Sequence, residues 1–186
     1  LIIFHYAGHG DQNGSFVMPD GTRLNPDDLL YRLRRIPGMK CAFIDSCYSG
    51  RFIANDATLM NGELFNDGQL VSETFANMLM PSLKLFFTIS EPSYWNTWIL
   101  TAAATDQLSY DSWDEGYDRQ DEFGAFTYYL LKALGYRMDT GTPALPEGRI
   151  TFYTIYDRIK QTMSETLWKR ATPQATLTPV DLVLFD

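Results

Sequence analysis

Apolar and polar positions fall in blocks along the chain, and the blocks set out its elements. Leu1 to Phe4 is a continuous apolar run, as a strand buried in a parallel sheet would be. A glycine-rich loop follows, His5-Tyr6-Ala7-Gly8-His9-Gly10, and Asp20-Gly21 marks a turn. Asn25 then reads as an N-cap, with Pro26 at the first helical position and Asp27 and Asp28 at the positive helix end. Leu29, Leu30, Leu33 and Ile36 form that helix's apolar stripe, and Pro37-Gly38 stops it. Cys41 to Ile44 is the next buried strand, ending at Asp45-Ser46-Cys47-Tyr48-Ser49-Gly50.

The segment from Arg51 to about Pro81 is less regular, with a short helix over Val71 to Met80. Leu83 to Ile89 and Trp98 to Ala104 read as two further strands. Ser109 to Glu122 is an acidic loop. Ala125 to Leu134 is an amphipathic helix with Gly135 as its stop, and Thr151 to about Trp168 is a second, striped by Ile155, Ile159, Met163 and Leu167. Leu177 to Phe185 closes the chain as a strand whose pairing Pro179 limits. Strands alternating with helices imply an α/β sandwich with a largely parallel sheet in one domain over residues 1–186.

Composition narrows the function. The net charge of −8, with no Lys/Arg cluster, argues against a nucleic-acid surface and mildly favours cationic substrates. No apolar run approaches the ~18 residues of a membrane span. The apolar start is too short for a signal peptide. Opening on Leu1 in what reads as mid-strand, the chain is expected to be a fragment of a longer protein. Cys41 and Cys47 lie along one strand-like run, ~20 Å apart at ~3.3 Å per residue. A disulfide needs Cα atoms within ~7 Å, so both should be free, which favours a reducing, cytoplasmic compartment.

The chemistry gathers where two apolar strands end in glycine-rich loops. In open α/β sheets reactive groups collect beyond the carboxyl ends of strands, so neighbouring strands would deliver His9 and Cys47 to one crevice. A free thiol has a pKa near ~8.5 and attacks as the thiolate. A histidine beside it can take the proton and return it to the leaving amine. The oxyanion of the tetrahedral intermediate needs backbone donors, here expected from the N–H groups of Gly8 and Cys47. No Gly-x-Ser-x-Gly elbow supports a serine hydrolase instead.

The two loops, His5-Tyr6-Ala7-Gly8-His9-Gly10 and Asp45-Ser46-Cys47-Tyr48-Ser49-Gly50, resemble the signature loops of the caspase-like cysteine peptidases, especially metacaspases and their bacterial relatives. Ala103 to Gln107, Gly124 to Tyr128 and Pro173-Gln174 resemble later family motifs, so the likeness covers most of the chain. Tyr48 stands where metacaspases usually carry histidine, and Ala7 where they often carry serine. The resemblance implies a three-layer α/β/α sandwich whose first strands lie upstream of Leu1. It implies a catalytic dyad of His9 and Cys47, and a protein or peptide substrate. Membrane and nucleic-acid partners are not implied, and the full-length protein has room for fused regulatory domains.

Asp45 matches the position where metacaspases place an acidic residue at the floor of the S1 pocket, which implies cleavage after Arg or Lys. The competing reading is a loop-closing aspartate that bonds nearby N–H groups. No cofactor is implied. An activating Ca²⁺ at Asp27-Asp28 competes with the helix-capping explanation of the same residues, and the six or so oxygen ligands of a hard cation are not assembled. His5 reads as packing under its loop, and the acidic loop as solvated surface or a substrate contact. Arg51 and Lys84 are ordinary surface residues or self-cleavage sites. The rival reading of the chain is a non-catalytic caspase-like scaffold or regulatory module.

Overall fold

The computed structural model describes residues 1–53, 65–66, 69–70, 96–111, 123–137, 140–143, 148–176 and 181–186. The predicted helix over Val71 to Met80, the strand over Leu83 to Ile89, Lys84 and nearly all of the acidic loop lie outside them.

The elements run β1 (Ile2–Ala7), β2 (Phe16–Val17), β3 (Arg23–Leu24), α1 (Pro26–Arg34), β4 (Lys40–Asp45), β5 (Phe65–Asn66), β6 (Gln69–Leu70) and β7 (Thr97–Thr101). They continue with α2 (Ala125–Ala133), β8 (Tyr136–Arg137), β9 (Thr142–Pro143), β10 (Ile150–Thr151), α3 (Phe152–Thr162), α4 (Glu165–Arg170), β11 (Gln174–Ala175) and β12 (Val183–Phe185). The central sheet has the order β1-β4-β7-β11. β1, β4 and β7 are parallel, and β11 is antiparallel to β7. This is the expected largely parallel α/β sandwich.

Strand β4 runs through the middle, all six residues buried, because both its faces are covered. On one face Ala42, Ile44 and Ile99 pack with Leu29, Leu30 and Leu33 of α1 and with Phe16 and Phe52. On the other, Cys41, Phe43, Trp98 and Leu100 pack against α2, α3 and α4. Each fully buried large side chain contributes about 1.5–3 kcal/mol. α1 begins as its sequence dictates: the Asn25 side chain accepts the Asp27 N–H at 2.8 Å. Its end is tied down by Lys40, whose buried Nζ donates to the Ile36 carbonyl at 3.0 Å. Desolvation, helped by Arg34, holds that ammonium below its ordinary pKa.

Four expectations need correction. Leu1 to Phe4 is not a buried strand: among the described residues β1 is the outer strand of the sheet, and Leu1 and Ile3 are 56% and 55% exposed. Among the described residues the helices on that face cover β4 and β7 and stop short of β1. The strand expected to reach Ala104 ends at Thr101, because Ala103 turns off to donate its N–H to the Ser49 hydroxyl at 3.2 Å. The helix expected from Thr151 to Trp168 is two helices. Met163 leaves the helix at ψ 139°, and the Ser164 hydroxyl accepts the Leu167 N–H to start α4. The apolar stripe survives the break, since Ile155, Ile159, Met163 and Leu167 are all buried. Of the closing strand only Val183–Phe185 is a described strand, paired with Ile150–Thr151, and Gln174–Ala175 pairs with β7 instead.

Candidate active site

Parallel pairing of β1 with β4 places Ala7 beside Asp45, so the two glycine-rich loops leave the sheet side by side. The Gly8 N–H donates to the Asp45 carbonyl at 3.0 Å, which carries the ladder one step beyond the strands. Gly10 then lies against the Cys47 carbonyl so closely that a Cβ there would collide with it. His9 is held between these two contacts. Its carbonyl accepts the Val17 N–H at 2.9 Å and the Tyr6 hydroxyl at 3.0 Å. Its imidazole is exposed and has no hydrogen-bond partner among the described residues, so no described third group orients it.

An aromatic stack joins the two loops from below. Tyr6 lies on Phe16 with ring centroids 3.7 Å apart, and Phe16 lies on Phe52 at 4.8 Å. Tyr6 belongs to the strand before His9, and Phe52 to the helical turn after Cys47. The turn beyond His9 is closed by Asp11. One carboxylate oxygen accepts the Asn13 and Ser15 N–H groups, and the other pairs with Arg23 at 2.9 Å.

Cys47 sits on a strained strand-to-helix turn. Tyr48 takes φ 57°, a left-handed conformation that costs a non-glycine residue about 1–2 kcal/mol. The Tyr48 N–H is anchored on the Gln107 carbonyl at 2.8 Å. Gln107 in turn takes the Ala104 and Thr172 N–H groups on its side-chain oxygen. The half-buried Cys47 Sγ accepts the Ser109 N–H at 3.4 Å and faces the Ser109 carbonyl at 3.8 Å. The other cysteine, Cys41, is buried in the core, and burial pushes its thiol far above the ordinary range. Both cysteines are free.

Asp45 is 4% exposed, and both its oxygens are engaged. Oδ1 accepts the Ser109 hydroxyl at 2.6 Å. Oδ2 accepts the Thr127 hydroxyl at 2.6 Å and the Thr127 N–H at 3.0 Å, in the first turn of α2. Gly124, the N-cap of that helix, lies against the carboxylate where no Cβ would fit. His5 joins from β1, with Nε2 3.3 Å from the Thr127 hydroxyl. Because that hydroxyl gives its one proton to Asp45, His5 must be the donor. No described cation pairs with Asp45.

The structure thus brings together Gly8, His9, Asp45 and Cys47 on two adjoining loops. The Gly8 N–H is already committed to the Asp45 carbonyl, so it is not available to an oxyanion in this arrangement. The bonds flanking Gly10, Val17 N–H to His9 and Asp11 N–H to Ser15, leave the Gly10 N–H without a described acceptor beside Cys47, whose own N–H also has none. Sequence reasoning did not single out Gly10, because either glycine satisfies the same loop pattern. It also missed Ser109, whose neighbour Gln107 carried the signal while Ser109 looked like the first residue of a solvated loop. Asp11 was passed over as well, although Asn13-Gly14 after it carried the turn signal. Asp27 and Asp28 are exposed in the first turn of α1. Among the described residues no group of three His, Cys, Asp or Glu could hold a metal ion. Arg51 packs its Cβ against Gly14, and Phe52 after it is fully buried.

The model of the peptidase C14 caspase domain matches residues 1–182. This chain belongs to the caspase-domain family. The match accounts for the sandwich and indicates cysteine-peptidase chemistry. Nothing matches among curated proteins. A solved structure, protein GSU0716 from Geobacter sulfurreducens, is 19% identical with a TM-score of 0.47; the similarity covers 96% of this caspase-domain chain and 66% of that one. Among the described residues no helix is long and apolar enough to cross a membrane.

Proposed function

We propose that the protein is a cysteine endopeptidase in which Cys47 is the nucleophile and His9 the acid and base, within one peptidase domain spanning residues 1–186. The observation that carries this reading is the contact of the two loops, with Gly8 bonded to Asp45 and Gly10 packed on the Cys47 carbonyl. His9 takes the thiol proton, and the sulfur attacks the scissile carbonyl of a protein or peptide substrate. The N–H groups of Gly10 and Cys47 receive the oxyanion. His9 then protonates the leaving amine, and water hydrolyses the thioester by the reverse sequence.

The preferred P1 residue in this reading is Arg or Lys. Its support is the buried Asp45 carboxylate, held by neutral donors with no described cation to cancel its charge. Such a carboxylate attracts a cationic side chain and repels an aspartate.

The test is hydrolysis of paired fluorogenic peptides, P1 Arg against P1 Asp, with and without calcium, by the protein and its Cys47→Ala variant. Cleavage after Arg that vanishes in the variant is the expected result. Cleavage after Asp would keep the nucleophile and refute the role of Asp45. Silence on both, from a folded protein with an unreactive Cys47, would leave a non-catalytic caspase-like module. A calcium-dependent rate would revive a metal site that the described residues do not assemble.

A further inference from the structure

We propose that Ser109 is a positioning residue for the nucleophile, holding Cys47 Sγ through its backbone N–H while its hydroxyl takes its place from Asp45. The proposal rests on the reading of Cys47 as nucleophile. Among the described residues, Ser109 alone hydrogen-bonds both groups: N–H to Sγ at 3.4 Å and Oγ to Asp45 Oδ1 at 2.6 Å.

The geometry separates this role from ordinary loop packing. A hydroxyl bonded to a carboxylate at 2.6 Å is short and charge-assisted, so it fixes the Ser109 side chain firmly. Asp45 is itself immobile, pinned by the first turn of α2 through both donors of Thr127. The residues on either side are anchored independently. The Gln107 carbonyl takes the Tyr48 N–H, and the Tyr110 carbonyl takes the Ala125 N–H at 2.7 Å. Ser109 is therefore the point where the nucleophile turn, the helix N-terminus and the buried carboxylate meet. Its N–H points at sulfur because the hydroxyl next to it cannot move. A hydrogen-bond donor serves a thiolate better than a thiol, so the N–H contact at 3.4 Å strengthens as Cys47 becomes the attacking species, while the longer thiol contact to the Ser109 carbonyl at 3.8 Å is given up.

The experiment compares Ser109→Ala, Ser109→Thr and Ser109→Val with the parent. Thr and Val have the same shape and differ only in the hydroxyl. Two readouts are taken: kcat and KM on a P1 Arg peptide, and the iodoacetamide alkylation rate of Cys47 at fixed pH, followed by peptide mapping. The expected result is a fall of about tenfold in kcat in the Ala and Val forms, the scale of a lost hydrogen bond to a charged group, with KM little changed. Cys47 alkylation slows by a similar factor, and Ser109→Thr restores both. Equal alkylation rates in all four forms would overturn the proposal. So would a Thr form that behaves like Val, or unfolding confined to the forms without the hydroxyl, which would make Ser109 structural. If no form cleaves any peptide while alkylation follows the expected pattern, the positioning role stands and the peptidase reading falls.

Discussion

Replacing Gly10 with alanine puts a methyl group between the two loops. The new Cβ would collide with the Cys47 carbonyl oxygen and would stand 3.2 Å from both the Cys47 carbonyl carbon and Ser46 Cβ. Ordinary contact begins at 3.4 Å, and neither neighbour can step aside. One is backbone at the nucleophile, and the other belongs to a fully buried serine. The loops must separate by a distance on the order of 1 Å, and a misplacement of that size costs about 10²-fold in rate. The expected fall in kcat/KM is therefore about 100-fold, or about 2.7 kcal/mol of barrier. Overpacking should also cost about 1–3 kcal/mol of stability, several degrees in Tm. Gly38→Ala is the control. Its φ of 93° makes alanine strained, but nothing lies within 4 Å and it is remote from the site, so it lowers Tm slightly and leaves kcat/KM at the parent value. Kinetics and thermal melts on both variants decide the matter. A Gly10→Ala protein with parental kcat/KM and Tm would refute the close loop contact on which the site is built.

Asp45→Asn keeps the shape but turns an amide against one of the hydroxyl or N–H donors; it should lose about 1–3 kcal/mol by denaturant titration and the preference for P1 Arg over a neutral P1. Retained Arg preference would show that the charge of Asp45 does not set specificity. Tyr48→Val, β-branched at φ 57°, should be about 1–2 kcal/mol less stable than Tyr48→Asn, which tolerates that conformation. Cys47 should be alkylated in the native protein while Cys41 reacts only on unfolding. Because burial raises the Cys41 thiol above its ordinary value of ~8.5, the folded state keeps a proton that the unfolded chain releases. Its contribution to stability is therefore fully present below about pH 8.5 and is lost as pH rises beyond it, and Cys41→Ala should flatten that alkaline limb in pH-dependent melts.

The sandwich and the adjoining of the His9 and Cys47 loops were legible because their signals are local. An apolar strand followed by a glycine-rich loop announces itself in a few residues, as does the Asn25-Pro26 helix start. Periodicity was a weaker guide where two solutions bury the same face. Ile155 to Leu167 keeps its stripe through a break at Met163, so the stripe could not reveal the break. Nor could the apolar run from Leu1 to Phe4 tell a central strand from an edge, because that depends on what pairs and packs around it.

By itself, then, the sequence determined the main strands and helices, and that the chain has the loops of a caspase-like peptidase with His9 and Cys47 at their tips. The tertiary structure alone decided how those loops are held. Gly8 gives its N–H to Asp45, while Gly10 leaves its own without an acceptor among the described residues. Asp45 receives Ser109 from 64 residues away and Thr127 from 82. The physical reason is that a hydrogen bond depends on distance and direction in space. Neither quantity is written in the order of residues until the sheet register and the helix positions are fixed.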